Sequence, residues 1–286
     1  MARSSLSFPI KAAANRRHFC IMGCDMGDIG FYLFGRFIAY YGFMIVIGIL
    51  INIPIAYFQI KKNQLNVDDF AIICGLSAFG GIIGAKALYL FTLREHIDFS
   101  QLIDLKYISS LMSGGFVFLG GIVGVLMAIA FCEKKLHISV QPYIQACIGC
   151  LPIGHACGRI GCFLVGCCYG IPHKGPLSVV YTHSQFAPCG IALFPIQLVE
   201  AFIEFSLGSC LLIFNRRLKA YSGLFLYLMT YSISRFFLEF LRYDEVRGEI
   251  VGISTSQMIS ILLFLYSAFS LNKRCKNPFT SHFPMM

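Results

Sequence analysis

The chain has 286 residues, of which 57% are hydrophobic and only 13% charged, with a formal net charge of +9. Soluble domains carry about 25% charged residues, and a soluble core of this length could not hide so much apolar surface, so a polytopic membrane protein is indicated. The apolar runs are continuous and lack period-two alternation, which favours helices over barrel strands.

In chain order, residues 1–37 read as an N-terminal arm lying on the membrane surface. Its short apolar stretch is broken by Lys11 and Arg16, so it is not a clean signal peptide. Seven windows then follow near 38–59, 70–91, 114–132, 144–164, 195–214, 222–241 and 254–271. At a rise of about 1.5 Å per residue each covers a hydrocarbon core of about 30 Å. The expected fold is an all-α polytopic membrane protein of seven transmembrane helices, forming one domain over residues 38–271, with a basic tail at 272–286. With seven spans, Lys61, Lys62, Lys134, Lys135, Arg216, Arg217, Lys219, Lys273, Arg274 and Lys276 fall on one side. That side is expected to be cytoplasmic, with the C-terminus in and the N-terminus out. Arg3, Lys11, Arg16 and Arg17 in the arm run against this, but the later loops agree with one another. The positive charge therefore reads as topology and not as a nucleic-acid site. Tyr40, Tyr41, Tyr57, Tyr221 and Tyr231 can serve as interfacial belt residues in a chain without tryptophan.

Lipid gives helices no hydrophobic reason to associate, so packing must come from close backbone approach. Gly80, Gly81, Gly84 and Ala85 form a small-residue ridge in the second window, and Gly120, Gly121 and Gly124 form one in the third. Gly154 and Gly158 extend the pattern into the fourth, while Gly114 and Gly115 loosen the entry to the third.

Lys86, Arg159, Glu200, Glu204, Arg235 and Glu239 all fall inside predicted spans. A charge at the centre of an isolated span costs about 2.5–3.5 kcal/mol even on insertion scales, so these residues must pair, snorkel or face a wet cavity. Lys86 and Glu204 can do so for structural reasons alone. Helical spacing puts His155, Arg159, Cys162 and Gly166 on one face of the fourth span. It puts Gln197, Glu200 and Glu204 on one face of the fifth, and Arg235, Glu239 and Arg242 on one face of the sixth. One reading is a buried salt-bridge network serving fold specificity. The other is an anion site, since guanidinium groups grip phosphate in a bidentate fork, and the phosphate at hand in a membrane is a phospholipid headgroup. Converging arginines favour the second.

The segment "GHACGRIGCFLVGCCYG", residues 154–170, also carries four of the 13 cysteines. Cys74, Cys132 and Cys210 read as small apolar filler. Cys147 and Cys150 form a C-x-x-C, which with His155 would offer sulfur and nitrogen ligands to zinc, whereas Cys157, Cys162 and Cys167 at steps of five spread around a helix. No metal or cofactor is expected. Cys167 and Cys168 stand at the outer end of the span, where Arg159 would lower a thiol pKa if close. They are read as a reactive thiol or redox pair, as helix filler, or as outer-loop disulfide partners. His173 and His183 read as surface histidines of the following loop.

These motifs resemble those of the prolipoprotein diacylglyceryl transferase family, from about Ile38 to Leu271. The matching pieces are "AYYGFMIVIGIL", "GGIIGAKALY", "GGFVFLGGIVG", "GRIGCFLVGCCYG", "FPIQLVE", "SRFFLEFLR" and "STSQ", in that order. The resemblance implies seven spans with the N-terminus outside, and transfer of the diacylglyceryl group of phosphatidylglycerol to a lipobox cysteine thiol with release of glycerol phosphate. It implies that Arg159 and Arg235 hold the lipid phosphate, with Glu239 orienting Arg235 and Tyr41 lining the site. Gln197, Glu200 and Gln257 match further polar positions, and Arg159 with the glycines of the fourth motif, Gly161 and Gly170 among them, is retained. Arg242 joins the substrate-binding set. The sequence departs from the family at "FHGG", where Leu119 replaces histidine, and at "GRIGNF.N.E..G", where Cys162, Val165 and Cys167 replace two asparagines and a glutamate. Leucine cannot take a proton, so His155, Glu200 or a thiolate such as Cys167 must substitute, or the chemistry differs. The partners implied are phosphatidylglycerol or a related phospholipid and a prolipoprotein signal peptide, at a site facing the outer leaflet of a cytoplasmic membrane. The rival readings are a relative with another acceptor, a membrane thiol-redox protein, and a small-anion transporter. Against the transporter stand the lack of an internal repeat and of paired interrupted helices.

Overall fold

The computed structural model describes residues 29–98, 103–113, 115–214, 222–243, 249–250 and 253–276. The arm's Arg3, Lys11, Arg16 and Arg17, as well as Gly114, Arg216, Arg217, Lys219 and Tyr221, lie outside the described residues.

The described chain opens with a hairpin of β1 (Gly30–Leu33) and β2 (Arg36–Ala39), then runs into α1 (Tyr40–Lys62) and α2 (Val67–Thr92). After a short 3-10 turn come α3 (Leu105–Ser113), α4 (Phe118–Lys134), α5 (Gln141–Cys147) and α6 (Cys150–Val165). Two short strands, β3 (Val179–Val180) and β4 (Ala192–Leu193), precede α7 (Ile196–Phe214) and α8 (Ser222–Glu239). A second small hairpin, β5 (Glu249–Ile250) and β6 (Ile253–Ser254), leads into α9 (Thr255–Lys276). All three strand pairs are antiparallel.

The chain is mostly helical. α1, α2 and α7 are long and apolar enough to cross a membrane, and α5 with α6 makes a fourth such span if the bent pair is counted as one. The solvent exposure is inverted relative to a soluble protein. Ile49, Leu50, Ile53, Phe58, Phe79, Phe202, Leu262 and Phe269 are exposed, while Lys86, Gln197, Glu200, Glu204, Arg235, Gln257 and Ser267 are buried. This distribution suits an apolar solvent outside and polar contacts inside.

Two compact units divide the chain, with boundaries inside helices. One takes residues 48–154, 204–232 and 262–286, as far as they are described. Its core holds Ile60, Ile73, Cys132, Val140, Tyr143 and Ala146. Within it α2 and α4 meet backbone to backbone. A Cβ on Gly84 would collide with the Gly120 carbonyl oxygen, and one on Gly80 would lie 2.7 Å from that of Gly124. The glycine ridges read from the sequence thus face each other. Lys86 is buried here, its Nζ 3.5 Å from the Gly115 carbonyl oxygen and 4.7 and 5.1 Å from the ring centres of Tyr89 and Phe116. The cation is therefore held on aromatic faces and a carbonyl.

The fourth window is not one straight helix. α5 and α6 are bent by 52° across the break between them. Pro152 has no N–H to donate to the Ile148 carbonyl, which instead accepts from Leu151 N at 3.3 Å. At the same break Gly149 lies against α7, with the Gly208 carbonyl 2.6 Å from where its Cβ would be.

The other unit takes the described residues up to 47, with 155–203 and 233–261. Phe163, Val179, Tyr181, Ala187 and Leu193 form its core. The arm expected for residues 1–37 ends in the β1–β2 hairpin, turning at Phe34 and Gly35 with φ of 50° and 75°.

Candidate functional site

Arg159 of α6, Glu200 of α7, and Arg235 and Glu239 of α8 come together in the second of these units. Glu200, 3% exposed, lies between two guanidinium groups: its Oε1 is 2.9 Å from Arg159 Nη2 and its Oε2 is 3.8 Å from Arg235 Nη1. The Oε1 contact is an ion pair whose angle is too poor for a hydrogen bond, and the Oε2 contact is too long for one. Among the described residues Arg235 Nη1 is consequently a buried donor without a hydrogen-bond acceptor. On its other side Arg235 Nη2 is 2.9 Å from Glu239 Oε2 and donates to Ser256 Oγ at 3.4 Å. Arg159 Nε donates to His155 Nε2 at 3.2 Å, one turn back on α6, so that this ring nitrogen acts as acceptor. The result is a chain of alternating charges, Arg159–Glu200–Arg235–Glu239.

Glu239 is fixed from the start of α9. Ser254 Oγ donates to Glu239 Oε1 at 3.0 Å and accepts from Gln257 N at 3.2 Å, while Ser254 N donates to Gln257 Oε1 at 3.1 Å. "STSQ" is therefore a capping box, with Ser254 as the cap and Gln257 closing it. Of the polar residues expected to line a substrate site, Gln257 thus spends its carbonyl oxygen on helix initiation.

Arg242 was expected on the face of the sixth span with Arg235 and Glu239. α8 instead ends at Glu239, and Arg242 forms an isolated antiparallel bridge with Gly170. Ile171 N donates to the Leu241 carbonyl at 3.0 Å and Tyr243 N to the Tyr169 carbonyl at 3.2 Å. Arg242 still couples electrostatically to both Arg159 and Arg235. A Cβ on Gly170 would lie 3.0 Å from the Leu241 carbonyl oxygen in this docking and 2.5 Å from that of Phe194, so the position requires glycine.

The cysteines are arranged differently from the helical wheel read from sequence. α6 stops at Val165, and Gly166 adopts a φ of 80°. Gly166 N donates to the Phe163 carbonyl at 3.2 Å and Cys167 N to the Cys162 carbonyl at 3.1 Å, the paired bonds of a Schellman ending. Ser184 Oγ donates to the Val165 carbonyl at 3.1 Å, and Gln197 Nε2 to the Cys167 carbonyl at 2.8 Å. Cys168 follows with a φ of 57°, left-handed backbone that is unfavourable for a residue with a Cβ. The reversal brings the sulfurs of Cys162, Cys167 and Cys168 to within 4.8 Å of one another. Spacing along a helix could not show this, since two of the three lie beyond the helix end. Among the described residues this is the one group of three metal-ligating side chains at that distance.

Tyr41, at the start of α1, couples electrostatically to Arg159 and to all three of these cysteines. It also lies against Gly161, whose Cβ would be 3.2 Å from the Tyr41 Cα. Ser254 enters the sequence reading only within the motif "STSQ", and Tyr181 carries no signal there. Tyr181 is 1% exposed and its hydroxyl donates to the Phe163 carbonyl at 2.9 Å, beneath the cysteine turn. Burial raises its pKa above the ordinary tyrosine value. Leu119 is 63% exposed.

The sequence model of the prolipoprotein diacylglyceryl transferase family matches residues 29–272. The chain is 35% identical over 248 residues to a phosphatidylglycerol–prolipoprotein diacylglyceryl transferase of Clostridium tetani, covering 86% of this chain and 97% of that protein. It is 33% identical over 234 residues to the corresponding enzyme 2 of Clostridium perfringens, with 82% and 90% covered. A Campylobacter lari enzyme of the same name is 28% identical over 257 residues, with 84% and 91% covered.

Proposed function

Because the chain belongs to the prolipoprotein diacylglyceryl transferase family, we infer that it moves the diacylglyceryl group of phosphatidylglycerol onto a cysteine thiol of a prolipoprotein, releasing glycerol phosphate. The observation that carries the reading is the convergence of Arg159 and Arg235, from two different helices, on one buried carboxylate. The unused donor at Arg235 Nη1 supports a phosphate oxygen as the missing acceptor. In the reaction the acceptor sulfur forms a bond to the glycerol carbon, the carbon–oxygen bond to phosphate breaks, and the phosphate oxygen keeps the electron pair. Arg159 and Arg235 stabilise that developing charge in a site from which water is largely excluded. Glu200 holds the two guanidiniums beside one carboxylate before lipid arrives, and Glu239 fixes the far side of Arg235. Tyr41 and Arg242 complete the rim.

All seven apolar windows then cross the membrane, the fourth as the bent α5–α6 pair. Lengths support this: α4 and α8, of 17 and 18 residues, span about 26 Å at 1.5 Å per residue, close to a hydrocarbon core. Lys61 and Lys62 end α1 and Lys134 ends α4, placing positive charge on what is then the cytoplasmic side, with the N-terminus outside and the site toward the outer leaflet.

The test uses purified full-length protein with phosphatidylglycerol vesicles and a lipobox cysteine peptide. Glycerol phosphate release matched by thioether formation is expected, and Arg159→Ala or Arg235→Ala should each slow transfer by about 10²–10³. No release from the wild-type protein, or wild-type rates in both variants, overturns the reading.

A further inference from the structure

Leu119 leaves the proposed transfer without the family's histidine, and the cysteine turn offers another way to ready the acceptor. We propose that Cys162, Cys167 and Cys168 bind a thiophilic divalent cation such as zinc, with one coordination position left open to the acceptor's thiol. The second half of this statement rests on the transferase reading; the first does not.

Three observations carry it. First, the three sulfurs lie mutually within 4.8 Å. Three sulfurs on one zinc at about 2.3 Å stand about 3.8 Å apart in a tetrahedron, so rotation of the side chains alone closes the set. Second, the backbone is committed to this arrangement. The Schellman ending at Gly166 reverses the chain, and Cys168 is held in left-handed backbone, a conformation that persists only where the surroundings impose it. Gln197 fixes the turn through the Cys167 carbonyl. Third, charge and access agree. Three thiolates and a dication sum to a single negative charge, and Arg159 and Arg242 both couple electrostatically to Cys168. Cys162 is buried while Cys167 and Cys168 are half-buried, so the group is closed on one side and open on the other. No fourth His, Cys, Asp or Glu joins the three among the described residues. A zinc site with three protein ligands keeps its fourth position for water or substrate.

The chemistry follows from metal–thiol binding. A thiol entering the open position loses its proton to solvent and binds as thiolate, so no side-chain base is required. That sulfur then forms its bond to the glycerol carbon as glycerol phosphate departs with the electron pair. The neutral thioether is a poorer ligand than a thiolate and leaves the metal.

The experiment uses the full chain, reduced, in neutral detergent without lipid, titrated with Cd²⁺ or Co²⁺ alone. Sulfur-to-metal charge-transfer absorption should saturate at one ion per chain. It should be lost in Cys167→Ser and, separately, in Cys168→Ser, and kept in Cys147→Ser and Cys74→Ser. With the Co²⁺ form, a lipobox peptide should shift the ligand-field bands toward four-sulfur coordination, and its serine counterpart should not. Absorption absent in the wild type, or intact in both cluster variants, overturns the metal site. Absorption present without a shift on adding the cysteine peptide overturns the open position. Transfer at the full rate after complete chelation overturns the role in activation while leaving the transferase standing. A peptide-responsive spectrum in a protein that never releases glycerol phosphate supports the metal site and faults the lipid reading instead.

Discussion

Glu200→Gln tests the charge chain most directly. At an effective dielectric of about 20, contacts of 2.9 and 3.8 Å correspond to about 6 and about 4 kcal/mol of attraction to Arg159 and Arg235. Burying the carboxylate at 3% exposure costs several kcal/mol in return, and removing one partner of such a buried pair typically costs about 3–5 kcal/mol. Glutamine keeps the shape and one acceptor, so the lower figure, about 3 kcal/mol, is expected. The chain has no tryptophan, so unfolding is followed by tyrosine near-UV circular dichroism in neutral detergent. A second measurement separates a phosphate site from a purely structural bridge. On the phosphate reading, a lipid phosphate competes with Glu200 for the two guanidiniums in the wild type, whereas in the variant it supplies the missing negative charge. Phosphatidylglycerol should therefore stabilise Glu200→Gln more than it stabilises the wild type, and diacylglycerol, lacking phosphate, should not. A variant as stable as the wild type refutes the energetic argument. Equal stabilisation of both proteins by phosphatidylglycerol refutes the shared grip on phosphate.

Two further outcomes are expected. Gly84→Leu should separate α2 from α4, because even a Cβ at that position meets the Gly120 carbonyl; a loss of at least about 1–3 kcal/mol is expected from the unfolding midpoint, and an unchanged midpoint counts against the seam. Tyr181→Phe removes a hydrogen bond to the Phe163 carbonyl and should cost about 1–3 kcal/mol at neutral pH. Its pKa is raised by burial, so the folded state holds the phenolic proton more tightly than the unfolded chain. Tyr181 therefore contributes fully below the unfolded value near pH 10 and loses its contribution as pH rises toward the folded value. The wild-type advantage over Tyr181→Phe should accordingly shrink above about pH 10. A gap constant from pH 8 to 11 would show that the phenol titrates alike in both states.

Much of this was legible in the sequence because period and composition carry it. α1, α2 and α7 lie within a few residues of their windows, and the glycine ridges of Gly80–Gly84 and Gly120–Gly124 meet as their small residues suggest. Arg159, Glu200, Arg235 and Glu239 stood out because each charge needs a partner in an apolar segment. Hidden were features set by backbone departures from regular structure. The β1–β2 hairpin depends on a turn through Phe34 and Gly35, and Phe34 is not a residue that announces left-handed backbone. The bend at Gly149 and Pro152 falls inside an unbroken hydrophobic run, where hydropathy alone gives no boundary. The cysteine group was obscured by extending helical spacing past Val165, and Gly166 was the one signal that the helix should stop there. Gln257 stood out by its match to the family pattern, and its reciprocal capping bonds with Ser254 depend on where α9 starts.

The alternating charge chain also bears on how the protein is made. Arg235 has Glu239 one turn away on its own helix, and Arg159 finds Glu200 on the next helix to emerge during synthesis. Neither arginine waits for a distant part of the polypeptide. In the seven-span arrangement proposed above, each positive charge is matched on its own helix or the next, lowering the penalty of passing a lone guanidinium into lipid. The contact from Arg235 back to Glu200 joins the two pairs into one chain.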